Sequence, residues 1–354
     1  MIPPTRTRVL VVDESAPVRE ALTRGLGADP EIDVVGAAAD PREVREMVLR
    51  LKPDVITLDL EMSAMDGISF LQVMARGFPV PTVVVSSLST LGPSVALQAL
   101  HEGAFDVVAK PHADLDAMWD LIARLKAAAR KGSAPRRASV PDPPVRNTRA
   151  VASTRDSVIG LGASTGGVSA LSHVLKGFTA SSPGIVVVQH MPAGFTADFA
   201  KRLDETCSMR VSEAKDGDRV VAGHVLIAPG GDRHLEVRRV GHEYRALLVP
   251  GPPHLGHVPS VDVFFRSLAS AAGASAVACI MTGMGADGAA GLLELRRCGA
   301  RTFAQDRETC AVWGMPAAAL ELGAAEACVP LGDLAARLAG AASGAGGPRP
   351  YSGE

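Results

Sequence analysis

Short apolar runs alternate with helix-length amphipathic segments along the first 130 residues. Residues 9–12, 34–37, 55–58, 82–85 and 106–109 predict five buried strands. Segments near 16–27, 41–51, 67–76, 93–102 and 114–130 predict the helices between and after them. Such alternation implies a parallel sheet covered on both faces by helices. The pattern stops over 130–149, where Pro135, Pro141, Pro143 and Pro144 mix with six Arg/Lys. Proline removes amide donors and clustered like charge resists collapse, so this stretch predicts a semi-rigid linker. Its basic side chains are read first as a solvated tether, with contact to the acidic first domain or to a partner as the alternative. Alternation then returns, with strands near 157–161, 185–189, 224–227 and 276–281, and helices near 166–176, 194–204, 260–272 and 286–298. Residues 233–249 predict an antiparallel excursion, and no repeat of fixed period occurs. The Gly/Ala/Ser-rich stretch from Gly340 predicts a disordered tail. The expected architecture is α/β with two doubly wound domains: 6–128, a linker over 129–154, a larger, mostly parallel domain over 155–342, and a tail over 343–354.

Length and composition agree with two domains. The chain has 354 residues, 47% apolar and 21% charged, ordinary for chains that bury a core. No uncharged apolar run approaches the roughly 18 residues that span a bilayer, and residues 1–6 do not resemble a secretory signal. Membrane insertion is therefore not expected. The net charge of −2 speaks against a nucleic-acid binder. Its distribution is uneven: −6 over 1–129, +5 over 130–150 and −1 over 151–354. The five cysteines (Cys207, Cys279, Cys298, Cys310 and Cys328) are odd in number and form no CxxC pair, which points to a reducing cytoplasm.

In an open parallel sheet, ligands bind beyond the carboxyl ends of the strands. Asp13 and Glu14 follow the first strand, Asp59 the third, Ser86 the fourth and Lys110 the fifth. Three carboxylates suit a hard divalent cation such as Mg²⁺, and a hydroxyl with an ammonium suits phosphoryl oxygens. The arrangement resembles a response-regulator receiver domain of flavodoxin-like fold over about 6–128. The resemblance implies that Asp59 accepts a phosphoryl group from a histidine kinase. It further implies that Asp13 and Glu14 form the acidic metal pair, with Asp59 and the Glu61 carbonyl as further ligands. Three positions depart from the usual pattern: Glu14 stands for a second Asp, Ser63 for a proline, and Val107 for an aromatic residue.

The second candidate site begins at Gly160-Leu161-Gly162-Ala163-Ser164-Thr165-Gly166-Gly167, after a strand and opening a helix. A dinucleotide loop needs an acidic residue at the end of the next strand, and Gln189-His190 stands there instead. Gly162-Ala163-Ser164-Thr165-Gly166 also matches the G-x-S-x-G nucleophile turn, which exposes a serine oxygen and aims amides at an oxyanion. On its own the motif is also compatible with a plain structural turn. A serine nucleophile needs a base and an orienting carboxylate. His190 ends the next strand, and Asp287 follows the strand over 276–281. His254 and His257 have metal-ligand spacing, but they lie in a proline-rich loop without a clear third ligand and are read as structural. His101, His112, His173, His224, His234 and His242 lack a matching turn.

Residues 155–340 resemble the catalytic domain of the chemotaxis protein-glutamate methylesterase family. The resemblance is carried by 162–167, Gln189-His190-Met191-Pro192, Ile227-Ala228-Pro229-Gly230, 259–265, 282–288, Ala304-Gln305-Asp306 and Gly314-Met315-Pro316; Gly231 is a slight departure. It implies Ser164, His190 and Asp287 as a triad, with Thr165 and Met284 beside the reacting carbonyl and the Met284 amide as an oxyanion donor. It implies demethylation of glutamate γ-methyl esters on chemoreceptors, deamidation of receptor glutamines, and no cofactor for the esterase. It also implies a cytoplasmic monomer, a chemotaxis-type kinase as phosphodonor, and an unphosphorylated receiver that obstructs the cleft. Two other classes stand beside this: a non-catalytic signalling adaptor and a DNA-binding regulator. The intact triad opposes the first, and the charge and the lack of a terminal helix-turn-helix oppose the second.

Overall fold

The computed structural model describes residues 6–62, 67–78, 80–87, 92–111, 115–132 and 157–344. Ser63, His112, most of the 129–154 linker and the tail beyond 344 lie outside these residues. The chain divides into two compact units, Met1–Arg137 and Ala138–Glu354.

In the first unit β1 (Thr7–Val12), β2 (Ile32–Ala38), β3 (Val55–Leu58), β4 (Thr82–Ser86) and β5 (Asp106–Ala109) alternate with helices. These are α1 (Ala16–Gly27), α2 (Pro41–Leu51), α3 (Gly67–Gly77), α4 (Pro93–His101) and α5 (Leu115–Gly132). Every pairing is parallel and the order is β2-β1-β3-β4-β5. The strands read as continuous apolar runs because both faces are covered: on one, Val9, Val11, Val55, Val83 and Val85 pack with Leu22, Leu26, Leu121 and Leu125, and on the other Leu10, Ile56 and Val84 are buried. Local signals agree with the fold at α2. Asp40 caps it by accepting from the Arg42 amide at 2.9 Å, Pro41 occupies its first turn, and Val44 and Val48 face the core. The sheet reverses its winding between β1 and β3. Asp13 follows β1 and Asp59 follows β3, so both stand at the crevice such a reversal opens.

The second unit holds a seven-stranded sheet of order β15-β14-β13-β6-β7-β10-β8, parallel throughout. Its central strands are β6 (Val158–Ala163), β7 (Gly184–Gln189), β10 (His224–Ile227) and β13 (Ala276–Ile280). Around them lie β8 (Arg210–Glu213), β14 (Arg301–Gln305) and β15 (Ala327–Val329). Six helices cover it: α6 (Gly167–Leu175), α7 (Phe195–Thr206), α8 (Val261–Ala272), α9 (Ala289–Arg297), α10 (Met315–Glu321) and α11 (Leu331–Ala342). The antiparallel excursion is present as β11 (Arg233–Val240) paired with β12 (Glu243–Pro250), with β9 (Arg219–Val220) on the other edge of β12. Phe264, Phe265 and Leu268 of α8 anchor the core against Val158, Val186 and Ile280 of the sheet.

Residues 340–342 are helical, against the tail that the composition from Gly340 suggests. They are the last of α11, whose Leu334, Leu338 and Ala342 form a buried i, i+4 stripe. Ser157 Oγ donates to the Ala342 carbonyl at 2.9 Å. Apolar burial every four residues outweighs a Gly/Ala-rich local composition. The edge strands β8 and β15 and the strand β14 are additions to the sequence reading, as are α10 and α11.

Candidate functional site

The receiver cluster assembles at the carboxyl edge of the first sheet. Lys110 Nζ donates to Asp59 Oδ2 at 2.6 Å and makes an ion pair with Asp13 Oδ2 at 2.9 Å. Asp13 Oδ1 accepts the Ser15 amide at 2.8 Å, and Asp59 Oδ1 accepts the Glu61 amide at 3.2 Å. Asp13 and Asp59 are buried, whereas Glu14 and Glu61 are exposed at the rim. Burial pushes the Asp13 carboxyl up, the Lys110 and Ser15 contacts only partly offset it, and the Asp59 charge adds to the rise. Burial alone would lower the Lys110 ammonium, but Asp59 and Asp13 hold it above its ordinary value.

Two polar atoms here lack hydrogen bonds: Asp13 Oδ2, whose ion pair with Lys110 lacks hydrogen-bond alignment, and the fully buried Ser86 hydroxyl. The Asp13 oxygen keeps acceptor capacity beyond its Lys110 ion pair, and a buried hydroxyl without a hydrogen-bond partner is costly unless something binds it. They fit a divalent cation and a phosphoryl oxygen, respectively.

The second cluster stands at the reversal between β6 and β13 of the seven-stranded sheet. Ser164 follows β6, His190 follows β7 and Asp287 follows β13, all on the carboxyl edge. The glycines before Ser164 serve packing. A Cβ on Gly160 would sit 2.7 Å from Leu268, and one on Gly162 would collide with Val261. Both residues thereby let α8 lie close over β6, a use of glycine unrelated to phosphate binding. The turn itself is braced from three sides. The Ser164 amide donates to Thr282 O at 3.0 Å, Thr282 Oγ1 donates to Thr165 O at 2.9 Å, and Gln189 Nε2 donates to Ser164 O at 2.9 Å. Gly166 takes φ +77°, in the left-handed region, where its missing Cβ also avoids Ala311.

Close packing of α8 brings its amino terminus to Asp287. Asp287 Oδ1 accepts the Ser260 hydroxyl at 2.8 Å and the Asp262 amide at 3.0 Å, and Oδ2 accepts the Val261 amide at 2.8 Å. His190 Nε2 lies 2.8 Å from the same Oδ2. Burial would raise this carboxyl, but the His190 bond and charge, the Asp262 amide and the Ser260 hydroxyl bring it down to about 2. An ionised carboxylate only accepts, so His190 Nε2 carries the hydrogen, and in the neutral imidazole Nδ1 then carries the lone pair. Nδ1 is buried and has no hydrogen-bond partner, so Ser164 Oγ is not yet engaged with it. Such catalytic contacts often tighten only when substrate binds.

Gly283 closes the other side. A Cβ there would lie 2.8 Å from Ser164 Cβ and collide with Met315. The backbone leading into Met284 thus passes directly over the serine, and Thr165 lies in the turn. Sequence reasoning set aside one neighbour: the ring of His257 is stacked on that of His190, with centroids 3.8 Å apart and planes 12° apart. It also quoted Gln189 only as part of a motif, although a lone glutamine closing an apolar strand is a detectable signal. His234, which lacks a matching turn, is a packed histidine that bridges the Ser260 amide and Pro252 O. None of the five cysteines is in a disulfide.

A receiver fold carrying a buried Asp–Lys–Asp cluster, followed by a parallel α/β domain with Ser, His and Asp at its switch point, defines a response regulator with a hydrolase-like output domain. Residues 9–122 match the response regulator receiver domain and residues 159–338 match the CheB methylesterase model. The chain belongs to the CheB methylesterase family. It is 52% identical to protein-glutamate methylesterase/protein-glutamine glutaminase 2 of Cereibacter sphaeroides, over 94% of this chain and 91% of that protein. It is 46% identical to the like-named protein of Syntrophotalea carbinolica, over 95% and 97%. The crystal structure of the Thermotoga maritima CheB methylesterase catalytic domain covers 51% of this chain and 96% of its own, with TM-score 0.50 and 37% identity. Among the described residues, no helix is long and apolar enough to cross a membrane.

Proposed function

We propose that the chain is a phosphorylation-regulated protein-glutamate methylesterase and protein-glutamine glutaminase in which Ser164, His190 and Asp287 carry the chemistry. The observation behind this reading is the Asp287–His190 pair. An anion held by four donors fixes His190 at Nε2 and leaves its Nδ1 buried without a hydrogen bond, on a residue whose amide donates to Ala163 O at 3.1 Å, next to the nucleophile turn. Ser164 Oγ attacks the γ-carbonyl of a methylated receptor glutamate while His190 Nδ1 takes its proton. Asp287 stabilises the imidazolium and holds its tautomer. Amides of the Thr165 and Met284 segments stabilise the tetrahedral oxyanion. His190 returns the proton to methanol, then activates the water that frees the glutamate. A receptor glutamine enters the same acyl chemistry with ammonia as the leaving group.

In the receiver, Asp59 accepts the phosphoryl group from a chemotaxis-type histidine kinase, and Ser86 and Lys110 contact its oxygens. Asp13, Glu14, Asp59 and the Glu61 carbonyl would hold Mg²⁺, which neutralises charge developing on the transferred phosphoryl group. The free cysteines suit the cytoplasm, where methyl-accepting chemoreceptors present their modification sites. Receptors bearing labelled glutamate methyl esters provide the test. Wild-type protein releases methanol, and Ser164→Ala releases none above background; methanol release by the folded variant at the wild-type rate rejects the assignment.

A further inference from the structure

A hydrogen bond at one nitrogen of an imidazole fixes a point on the ring but leaves the ring free to rock about that point. His190 is held at Nε2 by Asp287, while its Nδ1 edge has no hydrogen bond. The aim of Nδ1 at Ser164 therefore needs a second restraint. The structure supplies one contact that sets a plane: the His257 ring, nearly parallel to His190 at 3.8 Å. A stacked face opposes rocking, whereas an edge contact would not.

His257 is itself held by a short turn. The His254 amide donates to His257 O at 3.1 Å and the His257 amide donates to His254 O at 3.0 Å, closing a two-residue loop at Leu255-Gly256. Leu255 takes φ +49° and Gly256 φ +81°, so the turn is left-handed at both positions, and Leu255 accepts a conformation disfavoured for its side chain. Such local strain persists only where surrounding contacts over-determine it. Here the contact is visible: His254 Nε2 lies 3.0 Å from Oδ2 of the buried Asp262. Asp262 Oδ1 accepts the Gly291 amide at 2.6 Å, and the Asp262 amide donates to Asp287. The contacts close a ring: Asp287 to His190, His190 to His257, His257 through the turn to His254, His254 to Asp262, and Asp262 back to Asp287.

His254, Asp262 and Asp287 also bring three ligand atoms within 4.8 Å of one another, a spacing that a metal could use. The Asp287 carboxylate is already saturated by four donors, so the contacts above account for the grouping without an ion.

We propose that His257 is a positioning residue for the esterase reaction: its stacked ring sets the plane of His190, and the His254–Asp262 contact holds the turn that carries it. The proposal rests on His190 being the base. It makes no use of protonation at His257; the flat face is what matters. The stack should therefore affect turnover and leave substrate affinity alone, because misaiming a base costs roughly 10- to 100-fold in rate.

The test uses the full-length chain, phosphorylated receiver and methylated receptor, with methanol release measured over a range of receptor concentrations. His257→Ala should lower kcat about 10- to 100-fold with KM within about twofold of wild type. His257→Phe, which keeps a flat ring and discards both nitrogens, should recover most of that loss, whereas His257→Leu should not. His254→Ala should show a smaller kcat loss in the same direction. Far-ultraviolet circular dichroism and a thermal melt identify variants that fail to fold. If His257→Ala does not fold, the Phe and Leu pair still decides the question. Equal activity of the Phe and Leu variants, or a loss confined to KM, overturns the proposal. His190→Ala is the control: if it retains activity, the reading of His190 as base fails, and if it is dead while His257→Ala is normal, only the present proposal fails.

Discussion

Asp287→Asn replaces one oxygen by an NH₂ group and removes the charge from a site built entirely of donors. All four groups around the carboxylate donate: Ser260 Oγ and the Asp262 amide to Oδ1, His190 Nε2 and the Val261 amide to Oδ2. An asparagine must aim its NH₂ at one of these pairs. Aimed at Oδ1's partners, it confronts the Asp262 amide, which cannot turn away. Aimed at Oδ2's partners, it confronts the Val261 amide and forces the His190 proton onto Nδ1, which then cannot accept from Ser164. Both placements leave buried donors opposed. The shift of this carboxyl from 3.8 to about 2 corresponds to about 2 kcal/mol of stability contributed by the ionised form. For a domain of this size that is about 4–8 °C in melting temperature. The sign follows from linkage: a depressed carboxyl stabilises above its unfolded value near 4, and the contribution fades as pH falls toward 2. The wild type should thus melt higher than the variant at pH 7, with the gap narrowing below about pH 4. Methanol release should fall about 10³- to 10⁴-fold through the wrong tautomer. Calorimetry on both proteins across pH, with methanol assays at neutral pH, checks both expectations. An Asn variant within tenfold of wild-type turnover would refute Asp287 as the orienting group. An unchanged melting temperature at neutral pH would refute the buried-anion argument.

Other outcomes arise from neighbouring contacts. Gly283→Ala places a methyl group against Met315 Sδ and 2.8 Å from Ser164 Cβ, so it should lower both melting temperature and methanol release; an active, equally stable variant would show that this backbone does not hold the serine. Asp59→Asn should take up no label from a small-molecule phosphodonor with Mg²⁺, while wild-type protein is labelled and gains esterase activity; equal labelling would move the phosphoacceptor elsewhere.

Much of the site was legible from strand ends. The residues named from the sequence, from Asp13 to Asp287, fall on two carboxyl edges because parallel strands of apolar residues leave polar chemistry only where they stop. What was not legible depends on contacts between distant segments. β8 buries only Val211 at a sheet edge, and Arg210, Ser212 and Glu213 hide its apolar content. β14 carries Thr302 and Gln305 fully buried, because their side chains bond to Ala324 O and the Thr282 amide. Those partners come from other elements, so the segment reads as polar in isolation. Residues 340–342 of α11 look like the start of a Gly/Ala tail until its four-residue stripe of Leu334, Leu338 and Ala342 is seen to be buried. His257 looks like a loop histidine among prolines. Its role depends on the 254–257 turn reaching the end of β7, and no local spacing encodes that distance.

If Ser164, His190 and Asp287 act as one unit, their substitutions are non-additive. Methanol release from labelled methylated receptors should be compared for wild type, Ser164→Ala, and the triple alanine variant. The single and triple variants should share the same residual rate, because removing the nucleophile already leaves nothing for the other two to assist. A folded triple variant slower than Ser164→Ala by a further large factor, or a Ser164→Ala variant close to wild type, would contradict the three acting as one unit.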